Sequence, residues 1–100
     1  MMMTIAEKIL AKKSDKNTVE PGEYVACRID LAMIHDLTGP LMLRVLKEVG
    51  YDKPWDSKKV VIILDHQVPA NSTVTAELHK ELRQYAKKHG LKNYHDVGRQ

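Results

Sequence analysis

The stretch that decides the fold is Lys58-Lys-Val-Val-Ile-Ile-Leu-Asp-His66. Five consecutive apolar residues, Val60 to Leu64, are mostly β-branched and too few for a free-standing helix, so they predict a strand buried on both faces. Such a strand needs cover on both sides. The run closes in Asp65-His66, a carboxylate and an imidazole at the carboxyl edge of an α/β sheet, where ligands usually bind. That junction is the first candidate for chemistry.

Working outward from this strand, helix signals flank it. Upstream, Thr38-Gly39-Pro40 predicts a helix start, with Thr38 as cap and Pro40 in the first turn, and the helix runs to Val49 before Gly50. Met42, Val45, Leu46 and Val49 keep its apolar period, and Trp55 in the polar connector after it is expected to lie over the core. Downstream, Ser72 or Thr73 caps a long helix to His89 with Gly90 as its stop, and Val74, Leu78, Leu82, Tyr85 and Ala86 form its buried stripe. On that phase His79 falls on the exposed side and is given no role.

Further out, Glu23 to Leu31 alternates Val25, Cys27, Ile29 and Leu31 against polar and small residues, which predicts the first strand. Leu91 to Val97 predicts the third. Thr4-Ile-Ala-Glu7 is a capping box opening a short helix to about Lys12, whose face of Ile5, Ile9 and Leu10 must dock on something. Strand, helix, strand, helix, strand implies an α/β fold with a parallel sheet of about three strands in a single segment, its strand order not readable.

Composition narrows the function classes. One hundred residues make one domain or a piece of one, able to bury roughly 60 to 70% of the unfolded surface. With 43% hydrophobic and 29% charged residues the chain is not a disordered segment, and no apolar run approaches the ~20 residues of a membrane span. The amino terminus lacks the apolar segment and cleavage site of a signal peptide, so a cytoplasmic location is expected. The net charge of +3 comes from scattered lysine pairs with few aromatic residues between them, which is a solvated surface rather than a nucleic-acid stripe. A single cysteine, Cys27, excludes an internal disulfide and a cysteine-only metal cage, and its context reads as a small buried hydrophobe.

Three His/Asp pairs fall near the ends of the three expected strands: His35-Asp36, Asp65-His66 and His95-Asp96. A parallel sheet would bring them to one edge, where histidine, with an unperturbed pKa near neutrality, and a carboxylate that fixes its tautomer suit proton transfer. Asp65 can support His66 only if the chain bends between them, because neighbours in a regular strand face opposite ways. The same pairs also fit capping and turn roles. A divalent metal on His35, His66 and an aspartate is a further option, unsupported by any short-range ligand motif such as HExxH.

Four stretches, Met3–Ala11 (MTIAEKILA), Ile29–Pro40 (IDLAMIHDLTGP), Lys58–Ala70 (KKVVIILDHQVPA) and Tyr94–Arg99 (YHDVGR), together resemble the amino-terminal part of 3-isopropylmalate dehydratase large subunits, within the aconitase family. The resemblance implies a hydro-lyase of leucine biosynthesis that isomerises a hydroxy acid by dehydration and rehydration, with a 4Fe-4S cluster as Lewis acid. It implies catalytic roles for Asp65 and His66, which match the family's paired aspartate and histidine acting on the departing hydroxyl. His35 stands where aconitases have a substrate-contacting glutamine, so His35 and, in the same motif, Thr38 become substrate-binding candidates. It further implies as partners a hydroxy-acid substrate, the remaining large-subunit domains and a small subunit.

Two departures accompany the resemblance. The family holds its cluster with three cysteines far along the chain, none of which Cys27 matches, so this chain alone is expected to bind no cluster and to be inactive. The family also continues past DVGR into a segment with another active-site histidine, whereas this sequence ends at Gln100, and Leu37 replaces a residue commonly glycine. A fragment with uncovered sheet edges would be prone to self-association. Homoaconitase or aconitase, or a small non-catalytic α/β binding module, are the alternatives at this stage.

Overall fold

The computed structural model describes residues 2–98. The chain forms two compact units, Met1–Asp30 and Leu31–Gln100.

In the first unit, helix α1 spans Ile5–Lys13. Thr4 caps it by accepting the Glu7 N–H at 3.2 Å, while the Glu7 carboxylate accepts from the Thr4 hydroxyl at 3.0 Å instead of reaching back to the backbone. Asp15 then takes a left-handed conformation, φ 58°, just past the helix end. The expected docking face is not buried: Ile5 is 77% and Ile9 55% exposed, and among the described residues of this unit Ala11 and Val19 are the buried ones.

The expected strand at Glu23 to Leu31 does not form. Its alternation is real, since Val25 and Cys27 are half-buried, but alternation marks a face and does not supply a hydrogen-bonding neighbour. Here the segment runs back along α1. The Arg28 N–H donates to the Lys13 carbonyl at 3.0 Å, Arg28 pairs with Asp15, and Cys27 Sγ lies 3.5 Å from the Leu10 carbonyl oxygen.

The second unit carries the sheet. Its elements are β1 (Ala32–His35), α2 (Gly39–Glu48), a short 3-10 turn (Ser57–Lys59), β2 (Val60–Ile63), α3 (Thr73–Lys88) and β3 (Tyr94–His95). The strands pair in parallel in the order β1-β2-β3, with Ile34 opposite Ile62 and Ile63 opposite His95. The three-stranded parallel α/β sheet expected from the sequence is therefore present, with KKVVIILDH at its centre. Its first strand lies later in the chain than expected, and its third is shorter.

Two successive right-handed crossovers stepping the same way put both helices on one face of the sheet. Arg44 of α2 and Glu81 of α3 accordingly approach to 3.5 Å. This corrects the expectation that β2 is buried on both faces: Val60, Ile62 and Leu64 are buried under the helices, whereas Val61 and Ile63 are only half-buried. Ile34, Val60, Ile62, Leu64, Leu82, Ala86 and Leu91 form the core, with Met42, Leu43 and Tyr85 packed against it. Each fully buried leucine or isoleucine there contributes about 1.5–3 kcal/mol.

The helices differ from their expected phases in instructive ways. Val45 of α2 and Val49 just past its end are 50% and 63% exposed, and Met42, Leu43 and Leu46 turn inward. Trp55 is 59% exposed, so it borders the apolar edge near Met33 and Val60 rather than covering the core. In α3 the buried positions are Thr75, His79, Leu82 and Ala86, and Val74 is 68% exposed. Ser72 caps α3 as expected, accepting the Thr75 N–H at 3.1 Å. Gly39 opens α2 where a Cβ would stand 2.8 Å from Leu82 and 2.9 Å from Ile34, so the closeness of helix to core requires a residue without one.

Candidate active site

Parallel strands end together, and the ends of β1 and β2 bring His35-Asp36 beside Asp65-His66. The chain does bend after Ile63, so Asp65 reaches its neighbour: the His66 Nδ1–H donates to Asp65 Oδ1 at 2.6 Å. That bond assigns Nδ1 the proton and leaves Nε2 as the nitrogen able to accept or return one. The His35 ring stacks on His66 at 4.0 Å between centroids, 14° from parallel. His35 Nδ1 accepts the Leu37 N–H at 3.2 Å, which puts its own proton on Nε2, 3.3 Å from the Thr38 hydroxyl. Thr38 thus serves His35 and makes no side-chain cap to α2, contrary to its expected role there.

Beneath these exposed groups lies a buried carboxylate. Asp36 is 1% exposed and accepts three donors: the His66 N–H at 3.0 Å on Oδ1, and the Gln67 N–H at 2.8 Å and His79 Nε2–H at 3.1 Å on Oδ2. Burial pushes its pKa up, but the Gln67 and His66 amides and then His79 more than reverse this and hold it at about 2. Asp36 is therefore an anion at neutral pH and His79 its donor from α3. The expectation that His79 is exposed and without a role is overturned, since it is 2% exposed. Gln67 is tied to α3 a second time, its side-chain oxygen 3.2 Å from the Thr75 hydroxyl.

The third pair does not join the first two. Asp96 accepts from Arg83 Nε at 2.5 Å, from the Tyr94 hydroxyl at 2.7 Å and from the Val97 N–H at 2.7 Å, which fastens β3 to α3. Burial raises its pKa, but Arg83, then Tyr94 and Val97, bring it to about 2. Burial first, and then the Asp96 anion, push the Tyr94 hydroxyl up. This cluster is a structural clasp.

His35, Asp36 and His66 offer ligand atoms within 4.8 Å of one another. Both Asp36 oxygens already accept backbone N–H groups, and the lone pairs of two stacked imidazoles run side by side instead of converging. The arrangement suits proton transfer better than a tetrahedral metal. A 4Fe-4S cluster does not fit the residues of this chain, whose one cysteine, Cys27, is half-buried against Leu10.

Asp36 and His79 were the functional positions hardest to see in sequence. Asp36 stands in one of three His/Asp pairs, and His79 is hidden because the apolar residues Val74 and Leu78 draw the expected stripe of α3 away from Thr75 and His79. Leu82 and Ala86 are common to the expected and the observed face; the buried face takes Thr75 in place of Val74 and draws in His79.

A parallel α/β sheet with a carboxylate-supported histidine at its carboxyl edge defines a candidate acid-base enzyme segment. No protein-family model matches the chain. It is 48% identical over 97% of its length to a probable 3-isopropylmalate dehydratase large subunit of Methanothermobacter thermautotrophicus. A large subunit 1 of Archaeoglobus fulgidus is 50% identical over 94% of the chain, and the large subunit of Aquifex aeolicus 44% over 98%. By sequence the chain is a relative of a segment of 3-isopropylmalate dehydratase large subunits, as its motifs implied. It spans about a quarter, 23%, of the length of each of these relatives.

Proposed function

We propose that this chain supplies the proton-transfer part of the active site of a 3-isopropylmalate dehydratase-like hydro-lyase. The observation that carries this reading is the Asp65–His66 bond of 2.6 Å at the carboxyl edge of the sheet, beside His35, in a chain 48% identical to a named large subunit. His66, protonated, gives its Nε2 proton to the hydroxyl leaving the substrate and takes one back from water on rehydration. Asp65 keeps the opposite nitrogen protonated and stabilises the imidazolium. His35, its proton fixed on Nε2 by the Leu37 amide, is placed with Thr38 to contact a polar or anionic substrate group.

The substrate class is a branched hydroxy dicarboxylic acid, taken from the relatives' names. The full enzyme would work with the rest of a large subunit and a small subunit. Its cluster would be held by cysteines outside this chain, and its place would be the cytoplasm. No helix among the described residues is long and apolar enough to cross a membrane.

The test is an assay of the full-length protein containing this chain for reversible dehydration of 3-isopropylmalate, followed by absorbance of the unsaturated intermediate. Turnover supports the assignment. A cluster-loaded, correctly assembled enzyme that fails to turn over this acid and handles another hydroxy acid would move the substrate, and one inert towards all of them would remove the activity.

A further inference from the structure

His66 carries the proposed chemistry with little packing of its own, its side chain being 43% exposed. Its orientation comes from the bond to Asp65 and the stack on His35. Both presuppose that the turn at His66-Gln67 stays in place, and that turn hangs by its two N–H groups from Asp36. A carboxylate receiving two amides from a single turn would rotate with the turn. Its attachment to the helical layer is the third donor, His79 Nε2–H, from the middle of α3.

The energetics single this histidine out. A buried histidine-carboxylate bond gains little stability over a well-packed apolar pair, because both polar groups lose water. What an apolar pair cannot do is fix the carboxylate's rotation, and through it the height and angle of His66.

We propose that His79 is a positioning residue for His66, acting through the buried carboxylate of Asp36. The proposal rests on His66 being the proton-transfer group. His79 touches no substrate; it holds Asp36, which holds the His66 and Gln67 amides, so that His66 Nδ1 meets Asp65 and Nε2 faces outward in one tautomer.

Two amide substitutions separate this from a general packing role. His79→Gln places an N–H donor near the position of the histidine Nε2, whereas His79→Asn, equally polar, stops short of Asp36. Ring-nitrogen NMR of His66 in this chain reads the tautomer directly, and amide shifts of Tyr94 and Asp96 report on the distant clasp. The expected result is a wild-type His66 signature in His79→Gln. In His79→Asn the single tautomer should be lost and the His66 and Gln67 amides shifted, with the clasp unchanged. His66 unaltered in a folded His79→Asn chain would overturn the proposal, and so would an altered His66 or a lost fold in His79→Gln. In the full-length enzyme, His79→Asn should lower kcat at least tenfold with KM little changed, and His79→Gln should restore it. The NMR result stands apart from turnover, so an inactive parent protein would sink the proposed function and leave the positioning decided on its own terms.

Discussion

Asp36 Oδ1 accepts the backbone N–H of His66 at 3.0 Å across a sequence separation of 30 residues, joining the end of β1 to the turn after β2. The bond belongs to a carboxylate with three donors and almost no exposure, so replacing it with an amide turns an acceptor into a donor facing an N–H. Asp36→Asn should therefore cost about 3 kcal/mol, the loss expected when hydrogen bonds to a buried charge are broken. Urea denaturation checks this. A midpoint equal to that of the wild type would mean that the carboxylate is not the tie described.

Acid should weaken the fold in a defined window. Asp36 and Asp96 both have folded pKa values of about 2, below the ordinary carboxylate value of 3.8. The depressed value means that the folded state prefers the anion. Their contribution is complete above the ordinary value and is lost as pH falls from there through 2. It is on the order of 2 kcal/mol for each group at neutral pH. Denaturation midpoints measured from pH 6 to pH 2 should fall mainly below pH 4, and Asp36→Asn should flatten the curve. A midpoint constant down to pH 2 would be inconsistent with these pairings.

Gly39→Ala should destabilise the chain although no unusual backbone angle is involved. The added methyl would meet Leu82 at 2.8 Å and Ile34 at 2.9 Å, and Leu82 is fully buried with little room to turn aside. Overpacking of this kind costs about 1–3 kcal/mol. Thermal unfolding of Gly39→Ala beside Gly50→Ala, where nothing crowds the new methyl but φ is +86°, separates the steric cost from the conformational one.

The two hydroxyls that precede helices should behave differently. Ser72 caps α3, so Ser72→Ala should lose about 1 kcal/mol. Thr38 makes no cap bond and faces His35, so Thr38→Ala should leave stability nearly unchanged and act on substrate binding instead. Equal losses of stability in both variants would show that Thr38 does cap α2.

The sequence pattern was most informative where local chemistry and tertiary demand coincide. Val60 to Ile63 forms the central strand because an apolar β-branched run has few other stable settings, and Ser72 and Gly90 bound a helix whose punctuation is local. The first strand, Ala32–His35, does not alternate strongly, whereas Glu23 to Leu31 does and yet forms no strand. Strand formation depends on which segment finds an edge to pair with, and that is a long-range fact. At the site, the Asp65-His66 pair was visible as adjacent residues. The Asp36–His79 bond, 43 residues apart, requires knowing which face of α3 meets the sheet.

His66→Ala in the full-length enzyme, with kcat and KM for 3-isopropylmalate measured beside cluster content, tests the proposed chemistry most directly. A positioned general acid is worth about 10² to 10⁴ in rate, so kcat should fall by that factor with KM moving little. His35→Ala should do the reverse and chiefly raise KM. Near-normal kcat in a cluster-loaded His66→Ala enzyme would contradict the assignment and reduce Asp65-His66 to a turn at the end of a buried strand.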